Sequence, residues 1–159
     1  MSTSYFILSK PDEKVDDNAR NNMVSFSNQV SYILRNLVSY YCERGLFEAF
    51  LIEWGKQFCS PDKIVLDIGA HTGTYALSLA SNSKHVYAFE PQKMTYYALC
   101  GGVALSNMKN VTCMNIGLGS PEQIGTSTLK IISNDGGGSS IHATSNILRE
   151  ETIQIDMID

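Results

Sequence analysis

The chain has 159 residues, 43% of them hydrophobic and 18% charged, which suits one globular domain with a real core and is too little for two full ones. Its formal charge of −4 and pI near 5.3 argue against a surface of clustered Lys and Arg built to neutralise nucleic-acid phosphates or to dock on anionic lipid. The expected partners are therefore small molecules, with no nucleic acid and no membrane. The four cysteines, Cys42, Cys59, Cys100 and Cys113, form no C-x-x-C pair and read as buried reduced thiols rather than as a zinc knuckle or a redox dithiol.

At the N-terminus, Phe6-Ile7-Leu8 is too short for a signal-peptide core, and no later run approaches the ~20 apolar residues of a membrane span, so a cytoplasmic location is expected. Ser9 to Asn22 is rich in Lys, Asp, Asn and Pro and has almost no apolar residue to offset the entropy of ordering; residues 1–22 read as a flexible leader. Val24, Phe26, Val30, Ile33, Leu34, Leu37, Val38 and Tyr41 then recur at helical spacing. Gly45 breaks that pattern, and Leu46, Phe47, Phe50, Leu51, Trp54 and Phe58 begin a second stripe that ends near Ser60-Pro61-Asp62. Residues 23–59 are thus expected to be helices whose aromatic stripe belongs to the core.

Ile64-Val65-Leu66-Asp67-Ile68 is a short apolar run of the kind found in a central parallel strand buried on both faces. It enters Gly69-Ala70-His71-Thr72-Gly73, where glycine permits backbone angles and close approach that a side chain would block. A helix with Tyr75, Leu77 and Leu79 follows. Lys84 to Glu90 reads as the second strand, ending in an acid before Pro91. Lys93 to Ser106 supplies the next helix, and Val111 to Ile116 the third strand, ending at Asn115-Ile116-Gly117.

Neighbouring parallel strands lie about 4.8 Å apart, so the loops after strands one and two open side by side at the carboxyl edge of the sheet, where a nucleoside fits across the pair. Glu90 can accept the hydrogens of both ribose hydroxyls, and Asn115 either meets an adenine ring or is a turn residue. Two cofactors remain open. The dinucleotide fingerprint G-x-G-x-x-G brings backbone close to a pyrophosphate, whereas this chain has D-x-G-x-x-x-G, with Ala70-His71 at the point of closest approach. S-adenosyl-L-methionine has no phosphate and brings an amino-acid tail that polar loop groups can hold, so it is preferred over NAD. Asp67 is either part of that site or a cap for the backbone amides of the turn.

The run Val65-Leu66-Asp67-Ile68-Gly69-Ala70-His71-Thr72-Gly73-Thr74-Tyr75, followed by Tyr87-Ala88-Phe89-Glu90-Pro91-Gln92, resembles the FkbM-type methyltransferases. Leu99-Cys100-Gly101-Gly102-Val103-Ala104-Leu105, Asn110-Val111, Gly117-Leu118-Gly119 and Gly137-Gly138-Ser139 extend the resemblance over residues 43–159, although Gly102 stands where that family more usually has asparagine. The resemblance implies an α/β, Rossmann-like class I methyltransferase fold and methyl transfer from S-adenosyl-L-methionine to oxygen of a sugar or related small metabolite. By matched position, Asp67, Gly69, Ala70, His71, Gly73 and Tyr75 would line the methionine side of the cofactor and Glu90 would hold the ribose.

In that family a strand pair like Ser127 to Ile132 and Glu151 to Ile158 is followed by a further strand with a Lys-Ile-Asp-x-Glu-Gly run, which is not found before Asp159. The fold is therefore expected to be truncated. A methyltransferase domain over 23–159 would hold its cofactor-binding half at 60–120 and a β-hairpin insertion at 121–159, with the C-terminal half missing. A missing segment or a second chain would complete the sheet, because an apolar first strand left at an edge keeps unpaired backbone groups.

No base for methyl transfer stands out. His71 reads equally as a contact or cap in the glycine turn, His142 lies in a polar loop, and His85 opens a strand as a packing residue. No side-chain cluster suggests a metal. The Gly136-Gly137-Gly138-Ser139-Ser140 run is either a mobile substrate loop or an exposed flexible connection. Three functions follow: a methyltransferase, an inactive methyltransferase-like binding module, and an NAD-binding Rossmann protein.

Overall fold

The computed structural model describes residues 45–133 and 136–158, together with the backbone of three short strands nearer the N-terminus. Those strands, β1 (Tyr5–Ile7), β2 (Asn22–Phe26) and β3 (Ser31–Leu34), form an antiparallel meander. The helix expected from the apolar spacing after residue 23 is thus replaced by strands. The physical reason is local: Val24-Ser25-Phe26 also alternates with period two, and Val, Phe, Tyr and Ile favour a pleated strand over a helix. The expected leader is corrected likewise at Tyr5–Ile7 and at Asn22. The remainder of the leader, the later half of that stripe and Cys42 lie outside the described residues.

From Gly45 onward the chain alternates helix and strand. Helix α1 (Ala49–Lys56) leads into β4 (Ile64–Ile68), α2 (Thr74–Ala80), β5 (His85–Phe89), α3 (Lys93–Leu105) and β6 (Val111–Met114). The three strands are parallel and lie in the order β4, β5, β6, which is the Rossmann-like βαβαβ arrangement expected from the sequence. Its core lies between the sheet and the two crossover helices. Ala70, Ala76, Ala80, Val86, Ala88 and Leu99 are buried there, with Val65, Val103 and Cys113 packed around them. Small alanines on the facing surfaces of helix and strand let the two layers approach closely. Asn110 closes the far end by donating its side-chain amide to the carbonyls of Ala80 and Ser83.

Two expectations about burial are corrected. Strand β4 has one neighbour among the described residues, and Ile64, Leu66 and Ile68 are 55%, 47% and 61% exposed rather than buried. Gly69 N–H donates to the Phe89 carbonyl, so the odd-numbered residues of β4 direct their backbone groups to β5. The backbone alternation therefore turns those of Ile64, Leu66 and Ile68 to the open edge. On α1, Ile52 is buried, whereas Phe50 and Trp54, and Phe47 and Phe58 just outside its ends, are exposed, with Trp54 and Phe58 in edge-to-face contact at 4.7 Å. The stripe has helical spacing, but α1 packs on α2 through Ile52 and Gly55, beside Leu79, and turns its aromatic face outward.

The residues after β6 build a second sheet. Its strands β7 (Gly117–Leu118), β8 (Gly125–Ile131) and β9 (Arg149–Asp156) lie in the order β7, β9, β8. β8 and β9 pair antiparallel along their length, as the hairpin insertion requires, and β7 adds to β9 in parallel. Leu129, Ile131, Ile153 and Ile155 alternate onto one buried face. Glu151 accepts the Lys93 N–H at 2.7 Å, which ties this sheet to the start of α3. Cys59, Cys100 and Cys113 are free thiols and only half-buried.

Leu99 is fully buried, and a Cβ at Gly73 would lie 2.7 Å from its Cδ1. Leu99→Ala is expected to destabilise the fold by about 2–5 kcal/mol, seen as a lower urea midpoint with an unchanged m-value. An unchanged midpoint would remove Leu99 from the core.

Candidate functional site

The site begins at the end of β4. Asp67 Oδ2 accepts the N–H of Ala76 at 2.8 Å, so its carboxylate ties the strand to the first turn of α2. This is the capping role among the two expected for it. Between them, Gly69, His71 and Gly73 all take positive φ, at 80°, 52° and 96°. Gly73 has a second reason to lack a side chain, its close approach to Leu99 and Leu77. The Gly69 and Ala70 amides both donate to the Phe89 carbonyl, which pins the turn against β5 and buries Ala70.

Glu90 is the centre of the arrangement. It follows β5 directly and is only 6% exposed. Its Oε2 accepts the His71 N–H at 2.9 Å and its Oε1 the Gln92 N–H at 2.8 Å, so each carboxylate oxygen holds one loop. The turn that carries Glu90 is itself fixed by Asn115, whose side-chain amide donates to the carbonyls of Glu90 and Pro91 at 2.8 and 3.1 Å. Asn115 therefore acts here as a turn clamp through its amide nitrogen.

Two adjoining cavities open at this carboxyl edge. One, of about 330 Å³, is lined by Gly69, His71, Glu90, Gln92, Gly136 and Ser139 among others. The second, of about 250 Å³, is mostly apolar and runs from Ile68 and Phe89 over Pro91 and Ile116 to Ile153 and Ile155. Gly69, Pro91, Leu129 and Ser139 belong to both, so the two form one crevice between the sheets. Among the described residues, neither is lined by Lys or Arg.

Of the residues expected to hold a cofactor, Gly69, His71 and Glu90 are brought together at the cavity wall. Asp67, Ala70 and Gly73 support the turn from behind, and Asn115 supports it from the side. Tyr75 points elsewhere: its hydroxyl donates to Glu48 at 2.6 Å, the chief cause of a phenol pKa pushed up to about 12. His142 lines a separate cavity with Thr144 and Asn146. His85 makes a contact of 2.8 Å with Thr112 Oγ1 and stacks beside Tyr87.

Sequence reasoning missed Gln92 as part of the site, and left the glycine run with Ser139 open between a substrate loop and an exposed connection. Gly136 is buried at φ 90°, and a Cβ there would overlap Gln92 Oε1, so the run packs on the site. The signal was present in the Pro91-Gln92 step before a helix, but contact across 44 positions leaves no periodic trace.

No protein-family model matches the chain, and no curated protein is similar to it in sequence. The FkbM resemblance thus rests on its motifs. Parts of solved structures are similar. An rRNA methylase from Streptococcus thermophilus aligns with 43% of this chain and 41% of its own length, at 22% identity and a TM-score of 0.41. TYW2 from M. jannaschii, in complex with AdoMet, aligns with 64% of this chain and 46% of its own, at 18% identity and 0.49. Trm5b from Pyrococcus abyssi aligns with 74% of this chain and 39% of its own, at 16% identity and 0.49. The chain matches less than half the length of each. No helix among the described residues is long and apolar enough to cross a membrane.

Burial is the main cause of the electrostatics. It pushes the Asp67 carboxyl up to about 6, against the Ala76 hydrogen bond, with Glu90 adding repulsion. It also raises Glu90, opposed by the Gln92 and His71 amides. A folded-state pKa above the unfolded value of 3.8 means the native state binds the proton more tightly, so this stability is present below pH 3.8 and lost as pH rises through about 6. Stability is expected to fall across this window, and Asp67→Asn, which keeps an acceptor for Ala76, to flatten much of the fall. Urea midpoints from pH 4 to pH 7 measure it; equal slopes in both proteins would refute the assignment.

Proposed function

We propose that this crevice binds S-adenosyl-L-methionine and that the chain carries the cofactor-binding part of a methyltransferase. The observation that carries the reading is the buried Glu90 carboxylate, aimed by two backbone amides at the mouth of a strand, glycine-turn, helix unit. A carboxylate so placed accepts the hydrogens of a ribose diol.

Charge favours the methyl donor over NAD. Among the described residues the cavity lined by Glu90 has no Lys or Arg, and Asp67 lies behind the turn, which favours a ligand with a sulfonium and an ammonium group over a pyrophosphate. When bound, the sulfonium supplies an electrophilic methyl group. This chain's residues orient it: Gly69 and His71 line the amino-acid side, Glu90 the ribose side, and the apolar cavity over Pro91 and Ile116 receives the base.

The FkbM resemblance supports a hydroxyl of a sugar or small metabolite as acceptor, which would lose its proton as the oxygen–methyl bond forms. His71 is the histidine on the cavity wall and the candidate to take that proton. The open edge of β4 supports completion of the sheet by a further strand, without which binding is weak and turnover absent.

Calorimetric titration with S-adenosylhomocysteine is expected to show saturable binding, weakened at least about tenfold in Glu90→Ala, which corresponds to losing one charge-assisted hydrogen bond. NAD is expected not to bind. Binding of NAD, or equal affinity in a folded Glu90→Ala protein, would overturn the cofactor reading. Methylation assays with the chain alone are expected to show no transfer to sugars or to short RNA. Transfer to RNA would overturn the small acceptor, and transfer to a sugar would overturn the need for a completing strand.

A further inference from the structure

Two polar groups at the crevice are buried without partners. Gln92 is 1% exposed, and its Oε1 accepts the Thr95 hydroxyl at 3.0 Å, but its Nε2 has no hydrogen-bond partner among the described residues. The Ser139 hydroxyl is likewise buried and unpartnered. Both residues line the cavity that holds Glu90. A buried donor left unpaired forfeits its hydration with nothing in return, so two of them beside one cavity call for a common acceptor.

The three groups complement one another. Glu90 is acceptor-only when ionised, and each of its oxygens already takes one backbone amide, with lone pairs to spare. Gln92 Nε2 is donor-only, and the Ser139 hydroxyl can donate. A hydroxyl that gives its hydrogen to Glu90 keeps oxygen lone pairs that need donors. A second anion beside Glu90 would be repelled, which excludes a carboxylate or phosphate as the shared acceptor.

We propose that Gln92 and Ser139 complete a clamp for a vicinal diol, donating to the hydroxyl oxygens whose hydrogens Glu90 accepts, with the glycine run holding Ser139 over the ligand. This rests on the cofactor reading, in which the diol is the ribose of the methyl donor. The glycine run has a structural reason to be glycine here. Gly136 must pass against Gln92 with no room for a Cβ, and Gly138 turns at φ 71°, so the backbone can bring Ser139 to the cavity. Within the loop, the Ser133 hydroxyl donates to the Gly137 carbonyl at 2.6 Å.

The test pairs variants with ligands. Ser139→Ala removes only a hydroxyl, and Gln92→Glu replaces the donor with an acceptor of the same shape. Each is titrated with S-adenosylhomocysteine and with its 2′-deoxy and 3′-deoxy forms, and folding is checked by circular dichroism. Each variant is expected to weaken S-adenosylhomocysteine about tenfold, and to weaken the deoxy form that lacks its hydroxyl no further than wild type does. Wild-type affinity for S-adenosylhomocysteine in a folded Ser139→Ala protein would overturn the clamp alone, as would equal losses for all three ligands. No binding by folded wild type would overturn the cofactor reading and the clamp with it.

Discussion

The pair of hydrogen bonds that Glu90 accepts from the His71 and Gln92 amides holds the site together. One carboxylate joins the glycine turn after β4 to the start of α3, so two loops from neighbouring strands cannot move independently. Asn115 adds the third loop by binding the Glu90 and Pro91 carbonyls. The ends of three parallel strands thereby become one rigid rim. Burial of an ionised group at this rim is costly, and amides aimed at it offset part of the cost, as the opposing effects on Glu90 show.

What could be read from the sequence follows from how local each signal is. The strand at Ile64–Ile68, the glycine turn and the strand ending before Glu90 are local patterns of apolar run, backbone-permissive residue and terminal acid, and the structure reproduces them. The helix expected from Val24 onward gives way, where the chain is described, to strands at Asn22–Phe26 and Ser31–Leu34, because the apolar residues there also fit a period of two and β-branched and aromatic side chains tip the balance. Burial was harder still. Helical spacing of Phe47, Phe50, Trp54 and Phe58 specifies a common face, but not which neighbour covers it.

That exposed face and the β4 edge share one physical character. Ile64, Leu66 and Ile68 present apolar side chains and, among the described residues, unshared backbone groups, while Phe50 and Trp54 of α1 and Phe47 and Phe58 beside its ends present aromatic side chains. Scattered exposed apolar residues are ordinary, but an aromatic stripe and an unpaired apolar strand together are the composition of surfaces that proteins cover. The crevice lies at the end of that same strand, with Ile68 and Gly69 in its wall. Whatever orders the edge of β4 therefore also steadies the glycine turn at the crevice wall.

The electrostatic design points the same way. Two carboxylates, Asp67 and Glu90, are raised chiefly by burial and repel each other, so the unliganded site carries charge at a cost in stability. A neutral or anionic ligand would leave that cost in place or add to it. A cation entering the crevice offsets it, because in a partly desolvated site an opposite charge favours the ionised form of both acids and lowers their pKa. For a ligand of the proposed kind, binding and deprotonation would reinforce each other: the ionised form of Glu90 is the acceptor a diol requires, and a cationic end on the same ligand would hold it ionised.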